Sequence, residues 1–136
     1  MDQELVERAR TLLDLCRTKG LTIAAAESCT GGLLAATLTE IAGSSDVFER
    51  GFVTYSNEAK QAMVGVTSAT LASHGAVSRE TAEAMASGAL AHAPVHLAVS
   101  ITGIAGPGGA VPRPTGFSPL RSTGCASAAA ASPIST

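Results

Sequence analysis

The chain has 136 residues, which allows one domain built around one hydrophobic core. Apolar residues make up 46% of the sequence and aromatic residues only 3%, so small aliphatic side chains must form most of that core. The formal net charge of −2, with acidic and basic residues interspersed, does not support binding dominated by nucleic-acid phosphates. No apolar run approaches the roughly 20 residues of a membrane span.

The N-terminal residues give no sign of export. Residues 1–20 are charged and amphipathic, which is unlike a secretory signal. The three cysteines cannot all pair with one another, and none has the spacing of a metal ligand; they are Cys16, Cys29 and Cys125. His92 and His96 are four residues apart, but Pro94 breaks the helix between them. We therefore expect a reduced cytoplasmic protein without a metal or another cofactor.

The predicted elements alternate between helices and strands along the chain. Helices are predicted over residues 2–18, 33–43, 56–64, 67–74 and 79–93. Their predicted caps are Ser56, Thr67 and Ser78 at the start, and Gly20, Gly43, Gly65 and Gly75 at the end. Strands are predicted over residues 21–26, 51–55 and 96–102.

This alternation predicts an α/β fold, a layered sheet that is parallel or mixed and has helices on both faces. In such sheets, ligands bind beyond the carboxyl ends of the strands. Polar loops follow the predicted strands at residues 27–32, 55–60 and 102–109. If the strands are parallel, these loops converge on one edge of the sheet, where we expect the functional site.

The composition changes after Gly109. Residues 110–136 contain four prolines and no acidic residue, and they show neither helical nor strand periodicity. Residues 1–109 are therefore predicted to form the domain, and residues 110–136 a disordered or artificial tail.

The loop at residues 27–32 is the first candidate site. Backbone N–H groups at the start of a helix favour an anion, such as a phosphate or a developing oxyanion. Ser28, Cys29 and Thr30 bring two hydroxyls and a thiol to this position. On spacing alone, however, Ser28 or Thr30 is more simply explained as a helix cap. A Cys29 nucleophile would usually need a nearby histidine, and none lies in the three loops.

Two further features carry weaker signals. Lys60 follows the second strand, but a lysine acts as a general base only when burial or neighbouring positive charge lowers its pKa. Most lysines on helices are simply solvated. The glycine-rich loop at residues 103–109 lacks both the Walker and the dinucleotide-binding pattern, so a tight turn explains it equally well.

Five short motifs follow one another in the chain: AESCTGG (26–32), AGSS (42–45), FERGFVTYSNEAK (48–60), HGAVS (74–78) and TGIAGPGG (102–109). Together they resemble the CinA C-terminal domain family, which includes nicotinamide mononucleotide amidohydrolases. Each motif alone is modest, but their common order and spacing are highly specific. The resemblance runs from about residue 5 to residue 109.

The resemblance implies hydrolysis of the carboxamide of nicotinamide mononucleotide to nicotinate mononucleotide and ammonia, without a metal. It assigns Ser28 as the nucleophile and Lys60 as its general base. Tyr55 would contact the ring, and residues 102–109 would contact the ribose phosphate. The implied substrate contacts are Glu27, Thr30, Gly31, Gly32, Tyr55, Thr102, Gly103 and Gly106. Family members commonly pair, so the resemblance also implies a homodimer.

The sequence departs from the family pattern after the glycine-rich loop. The family continues with a Lys-Pro-x-Gly segment, a strand, a basic loop and a terminal helix, which residues 113–116 only faintly echo. We hypothesise that the reading frame changes near Gly109. Loss of that strand and helix would expose apolar surface and a sheet edge, so the departure leaves open whether this chain is stable and active.

Two alternatives to this enzyme remain open. The first is a non-catalytic domain that binds a nucleotide or has a regulatory role. The second is an enzyme that uses Cys29 as its nucleophile.

Overall fold

The computed structural model describes residues 1–104 and 125–131. The α-helices in these residues are α1 (Gln3–Lys19), α2 (Leu33–Thr39), α3 (Asn57–Val64), α4 (Ser68–His74) and α5 (Arg79–Ala91). The strands are β1 (Ile23–Glu27), β2 (Phe48–Val53), β3 (Leu97–Gly103) and β4 (Cys125–Ala131). The five helices and the first three strands agree with the predicted elements, apart from shifts of a few residues at their ends. No helix in the described residues is long and apolar enough to cross a membrane.

Six helix boundaries are fixed by capping residues that the sequence predicts, whereas α2 ends at Thr39, before the predicted cap at Gly43. Ser56, Thr67 and Ser78 each accept a hydrogen bond at their side-chain oxygen from the backbone N–H three residues later. At the other end of α1 and of α3, Gly20 and Gly65 adopt left-handed backbone angles, with φ values of 68° and 70°. The short polar and glycine residues therefore set where the helices start and stop.

The sheet is mixed, with the strand order β2-β1-β3-β4. The central strand β1 is parallel to both of its neighbours, β2 and β3. The carboxyl ends of these three strands therefore lie at one edge, and the loops that follow β1 and β2 meet there as predicted. Most of the third predicted loop, residues 102–109, lies outside the described residues. The strand that follows β1 in the chain, β2, lies on the side of β1 that faces away from β3. The strand that follows β3 in the chain, β4, lies on the side of β3 that faces away from β1. Such a change of direction opens a crevice between neighbouring strand ends, here those of β1 and β3.

Helices cover both faces of the sheet, as the predicted fold class requires. Alternate residues of β1 point to opposite faces, so Ile23 and Ala26 belong to different hydrophobic clusters. The buried residues of the first cluster, which α1 and α2 help to form, are Val6, Ala9, Leu13, Cys16, Ile23, Leu38, Ile41 and Val47. Those of the second, which involves α3 and α5, are Ala26, Val64, Val66, Met85, Ala89 and Ala98. The small side chains of β1 let both helical layers approach the sheet closely.

One strand was not predicted. Residues 110–136 show no strand periodicity, yet β4 pairs with β3 in the antiparallel direction, with Ala98 opposite Ala131 and Gly103 opposite Cys125. This corrects the expectation that no strand follows Gly109. The alanine and serine residues of β4 do not alternate between apolar and polar side chains, so they carry no strand signal. Pairing with the edge of β3 requires only backbone donors and acceptors. The interpretation of the rest of 110–136 as a tail falls outside the described residues and stays a prediction.

Candidate active site

Ser28 lies where the carboxyl end of β1 is adjacent to β3. It directly follows the last residue of β1, and its backbone N–H donates to the carbonyl oxygen of Ile101 in β3 at 2.9 Å. Its own carbonyl oxygen accepts from the N–H of Gly31 at 3.0 Å, which closes a tight turn. Ser28 is 5% exposed, so the hydroxyl is in a largely dry environment but at the edge where the loops meet.

Lys60 brings an amine to the same position from the neighbouring strand connection. It lies in the first turn of α3, soon after the end of β2, and is only 1% exposed. Its Nζ is 3.0 Å from the Ser28 Oγ and 3.1 Å from the carbonyl oxygens of both Thr54 and Tyr55. All three hydrogen-bond partners are uncharged oxygens. The structure thus joins the two residues that the resemblance assigns to catalysis, and Lys60 is not a solvated lysine.

This environment favours the neutral form of Lys60. Burial lowers the pKa of its ammonium group, and the electrostatic interactions with Cys29 and Glu58 oppose this effect only partly. A neutral amine has two N–H donors and one lone pair. Two carbonyl oxygens can accept the N–H groups, which leaves the lone pair for the Ser28 hydroxyl. An ammonium can instead donate to all three oxygens, so the same arrangement suits both protonation states.

Thr54 is a site residue that the sequence analysis missed. It is fully buried at the end of β2, and its backbone N–H donates to the carbonyl oxygen of Glu27 at 2.7 Å. Its own carbonyl oxygen accepts the hydrogen bond from Lys60. Thr54 therefore ties the end of β1, next to Ser28, to the amine that contacts Ser28. The only sequence signal was a polar residue within the FERGFVTYSNEAK motif, placed where the strand ends.

The carboxylate of Glu27 is bonded within the chain. Its Oε1 accepts from the Thr30 hydroxyl at 2.6 Å and from the backbone N–H groups of Gly32 and Leu34 at 3.2 and 2.9 Å. Its Oε2 accepts from the Ala35 N–H at 2.9 Å. Glu27 is only 1% exposed. The anion expected at the start of α2 is therefore a side chain of the protein itself.

Two successive glycines make this arrangement sterically accessible. Gly31 and Gly32 have φ values of +58° and +110°, in a region that residues with a Cβ rarely adopt. The turn that they form brings the first N–H groups of α2 back toward Glu27. Both predicted glycines thus shape the loop, and the Gly31 N–H is already bonded to the Ser28 carbonyl oxygen.

The remaining predicted substrate contacts have different environments. The side chain of Tyr55 is 68% exposed, and its carbonyl oxygen belongs to the Lys60 site. Thr102 is buried, and its hydroxyl donates to the carbonyl oxygen of Ala76 at 2.7 Å. Gly103 is the last residue of β3, and Gly106 lies outside the described residues. Their contacts with a substrate stay predictions.

The three histidines each contact a different part of the chain and do not form a cluster. His74 lies 3.6 Å from Glu80 through Nδ1, and His92 Nδ1 lies 2.7 Å from the carbonyl oxygen of Gly88. His96 Nδ1 accepts from the backbone N–H of Thr22 at 3.0 Å. Residues 1–104 contain no group of three or more His, Cys, Asp and Glu side chains arranged to hold a metal ion.

Known proteins share both the sequence and the fold. The CinA C-terminal domain matches residues 5–127, a range that extends beyond Gly109. The nicotinamide-nucleotide amidohydrolase PncC of Escherichia coli strain K12 is 53% identical over 116 residues, which cover 85% of this chain and 70% of PncC. A CinA-like protein of Chloroherpeton thalassium is 60% identical over 96 residues, which cover 71% of this chain and 23% of that protein.

A solved structure agrees with the same relationship. The crystal structure of the competence/damage inducible protein CihA from Agrobacterium tumefaciens superposes with a TM-score of 0.79 at 52% identity. The match covers 86% of this chain and 72% of that one. Sequence and structure lead to one assignment: the chain belongs to the CinA C-terminal domain family.

Proposed function

We propose that this chain hydrolyses the carboxamide of nicotinamide mononucleotide, with Ser28 as the nucleophile and Lys60 as the general base. The observation that carries the proposal is the 3.0 Å distance between Lys60 Nζ and Ser28 Oγ, two buried groups at the carboxyl edge of the sheet. The substrate class comes from the similarity to a protein named nicotinamide-nucleotide amidohydrolase. The reaction is a hydrolysis, so water is its only co-substrate.

In the first half of the reaction, the neutral amine of Lys60 accepts the hydroxyl proton of Ser28 while Oγ attacks the amide carbon. A tetrahedral intermediate forms, with the negative charge on the former carbonyl oxygen. The C–N bond then breaks, and the Lys60 ammonium returns its proton to the departing nitrogen as ammonia leaves. The products of this half are ammonia and an ester between Ser28 and the nicotinoyl group.

A backbone donor near Ser28 would stabilise the oxyanion. The Gly31 N–H donates to the Ser28 carbonyl oxygen, and the Gly32 N–H donates to Glu27. Because these two N–H groups are occupied, the proposal relies on the backbone N–H of Thr30 in this loop. Thr30 is two residues from Ser28 and its side chain is anchored to Glu27, so its backbone is held in a fixed position.

In the second half, water attacks the ester and Lys60 accepts a proton from it. The bond between the acyl carbon and Oγ breaks, and the Ser28 oxygen recovers a proton from the ammonium. Nicotinate mononucleotide leaves, and both side chains return to their starting states. Tyr55, a largely exposed residue, would pack against the pyridine ring, and the loop that begins at Gly103 would contact the ribose phosphate.

An acyl-enzyme trap tests the proposal. The chain is mixed with nicotinamide mononucleotide, quenched in acid after milliseconds to seconds, and analysed by intact mass and peptide mapping. The expected adduct is the nucleotide minus ammonia, bound to the peptide that contains Ser28 and absent from Ser28→Ala. A nucleotide that binds but yields neither adduct nor ammonia would instead support the non-catalytic binding domain.

A further inference from the structure

We infer that Glu27 is a positioning residue that holds Ser28 in place by capping α2, and that its carboxylate does not bind the substrate. This inference rests on the proposed role of Ser28 as a nucleophile. Glu27 immediately precedes Ser28 in the chain, so an interaction that fixes its side chain also limits the movement of the serine backbone.

The start of α2 lacks the usual cap. The N-cap residue is Gly32, which has no side chain to accept a hydrogen bond from the first turn. Glu27, five residues earlier, provides the missing acceptors for the N–H groups of Gly32, Leu34 and Ala35. A negative charge at this end of the helix also complements the helix dipole. The hydrogen bonds of the Glu27 side chain thus link the end of β1 to the start of α2. Ser28 lies in the short segment between these two points.

The backbone of Glu27 is held as firmly as its side chain. Its carbonyl oxygen accepts from both the backbone N–H and the hydroxyl of Thr54, at 2.7 and 3.3 Å. On the other side of the same peptide, the Ser28 N–H donates to Ile101. The cap on α2 is the third restraint on this segment, and it is the one that a single side-chain substitution removes.

The same contacts argue against a substrate-binding role. Oε1 already accepts three hydrogen bonds and Oε2 a fourth, and the side chain is 1% exposed. A carboxylate at this point would also repel the phosphate of a nucleotide. The phosphate must therefore bind away from the start of α2.

The substitution Glu27→Gln tests the inference. The amide keeps the shape of the side chain but replaces one acceptor with an NH₂ donor, which then faces a backbone N–H or the Thr30 hydroxyl. We expect the rate of labelling of Ser28 by a fluorophosphonate probe to fall about 10- to 100-fold, the scale of a small misplacement of a reacting group. Amide hydrogen exchange at Leu34 and Ala35 should become faster, and the KM for the nucleotide should change little.

Two further variants serve as controls. Glu40→Gln removes the same charge from an exposed residue at the other end of α2 and should leave labelling and exchange unchanged. Thr30→Val removes one donor from the Glu27 carboxylate and should produce a smaller loss in the same direction, even if Glu27→Gln does not fold.

The inference and the proposed function fail in different ways. A folded Glu27→Gln that is labelled at the parent rate, or one that changes only the KM, would overturn the positioning role. Unchanged exchange at Leu34 and Ala35 would also overturn it, whatever the substrate is. If the parent chain is not labelled at Ser28, the serine mechanism fails, while the exchange data still decide whether Glu27 caps α2.

Discussion

The Nζ of Lys60 lies 3.0 Å from the Oγ of Ser28, although the two residues are 32 positions apart in the chain. The contact follows from the parallel pairing of β1 and β2, which brings the residues after both strands to one edge of the sheet. Burial also lowers the pKa of Lys60, which is the direction that a general base requires. Sheet topology and burial together place the two side chains as the proposed mechanism requires of a nucleophile and its base.

The first prediction concerns the pH dependence of the reaction. In the proposed mechanism the reactive form of Lys60 is the neutral amine, and burial lowers the pKa of Lys60 below that of an ordinary lysine. The value of kcat/KM should therefore rise with pH through this lowered pKa and reach a plateau above it. Lys60→Arg should be inactive throughout, because an arginine stays protonated. A profile that falls as the pH rises through this range would contradict the role of Lys60.

The second prediction concerns stability. The pKa of Lys60 is lower in the folded chain than in the unfolded chain, so between the two values the unfolded chain binds more protons. The free energy of unfolding should therefore rise with pH across this window and fall as the solution is acidified. Lys60→Met should lack this contribution. Urea denaturation of both proteins over a pH series measures the difference, and identical pH slopes would show that Lys60 is not perturbed.

The third prediction separates Ser28 from the neighbouring thiol. Ser28→Ala should lower kcat by roughly 10³-fold or more, as expected for loss of a nucleophile. Cys29→Ser should keep activity within a few-fold of the parent, because the proposed mechanism takes the attacking atom from Ser28. Steady-state rates of the two variants are compared after circular dichroism has shown that both are folded. The opposite pattern, with Cys29→Ser inactive and Ser28→Ala active, would favour the cysteine mechanism.

The fourth prediction concerns the packing that supports Lys60. A Cβ added at Gly88 in α5 would lie 1.8 Å from the carbonyl oxygen of Val64, the last residue of α3. Gly88→Ala should therefore destabilise the chain by about 1–3 kcal/mol or more and reduce activity, because α3 carries Lys60. Gly51→Ala is the matched control, since its nearest contact would be 3.4 Å. Chemical denaturation measures both, and equal stabilities would contradict the close approach of the two helices.

Much of the fold was predictable because its signals are local. Ser56, Thr67 and Ser78 cap helices through hydrogen bonds that span three residues, and such patterns are visible in sequence. Strand β4 was not predictable, because its alanine and serine residues carry no periodicity and its pairing with β3 is a long-range contact. The end of α2 at Thr39 also precedes the predicted end at Gly43, because residues 40–43 form turns that lead into a short 3-10 helix at Ser44–Asp46.

The site was predictable only in part. The sequence alone favoured a capping role for Ser28 and a solvated Lys60, and the family resemblance was needed to pair them. The carbonyl oxygens of Thr54 and Tyr55 that hold the amine carry no sequence signal, because every residue has one. The cap on α2 by Glu27 was also missed, since it depends on a turn that begins five residues before the N-cap residue.

The most direct test of the central claim is the release of ammonia from nicotinamide mononucleotide by the purified chain, beside Ser28→Ala and Lys60→Ala. We expect the parent to release ammonia and form nicotinate mononucleotide in equal amounts, and both variants to lose this activity while remaining folded. Either variant acting at the parent rate would contradict catalysis by Ser28 and Lys60. So would a parent chain that releases no ammonia and remains silent after the C-terminal segment of a family member is added to it.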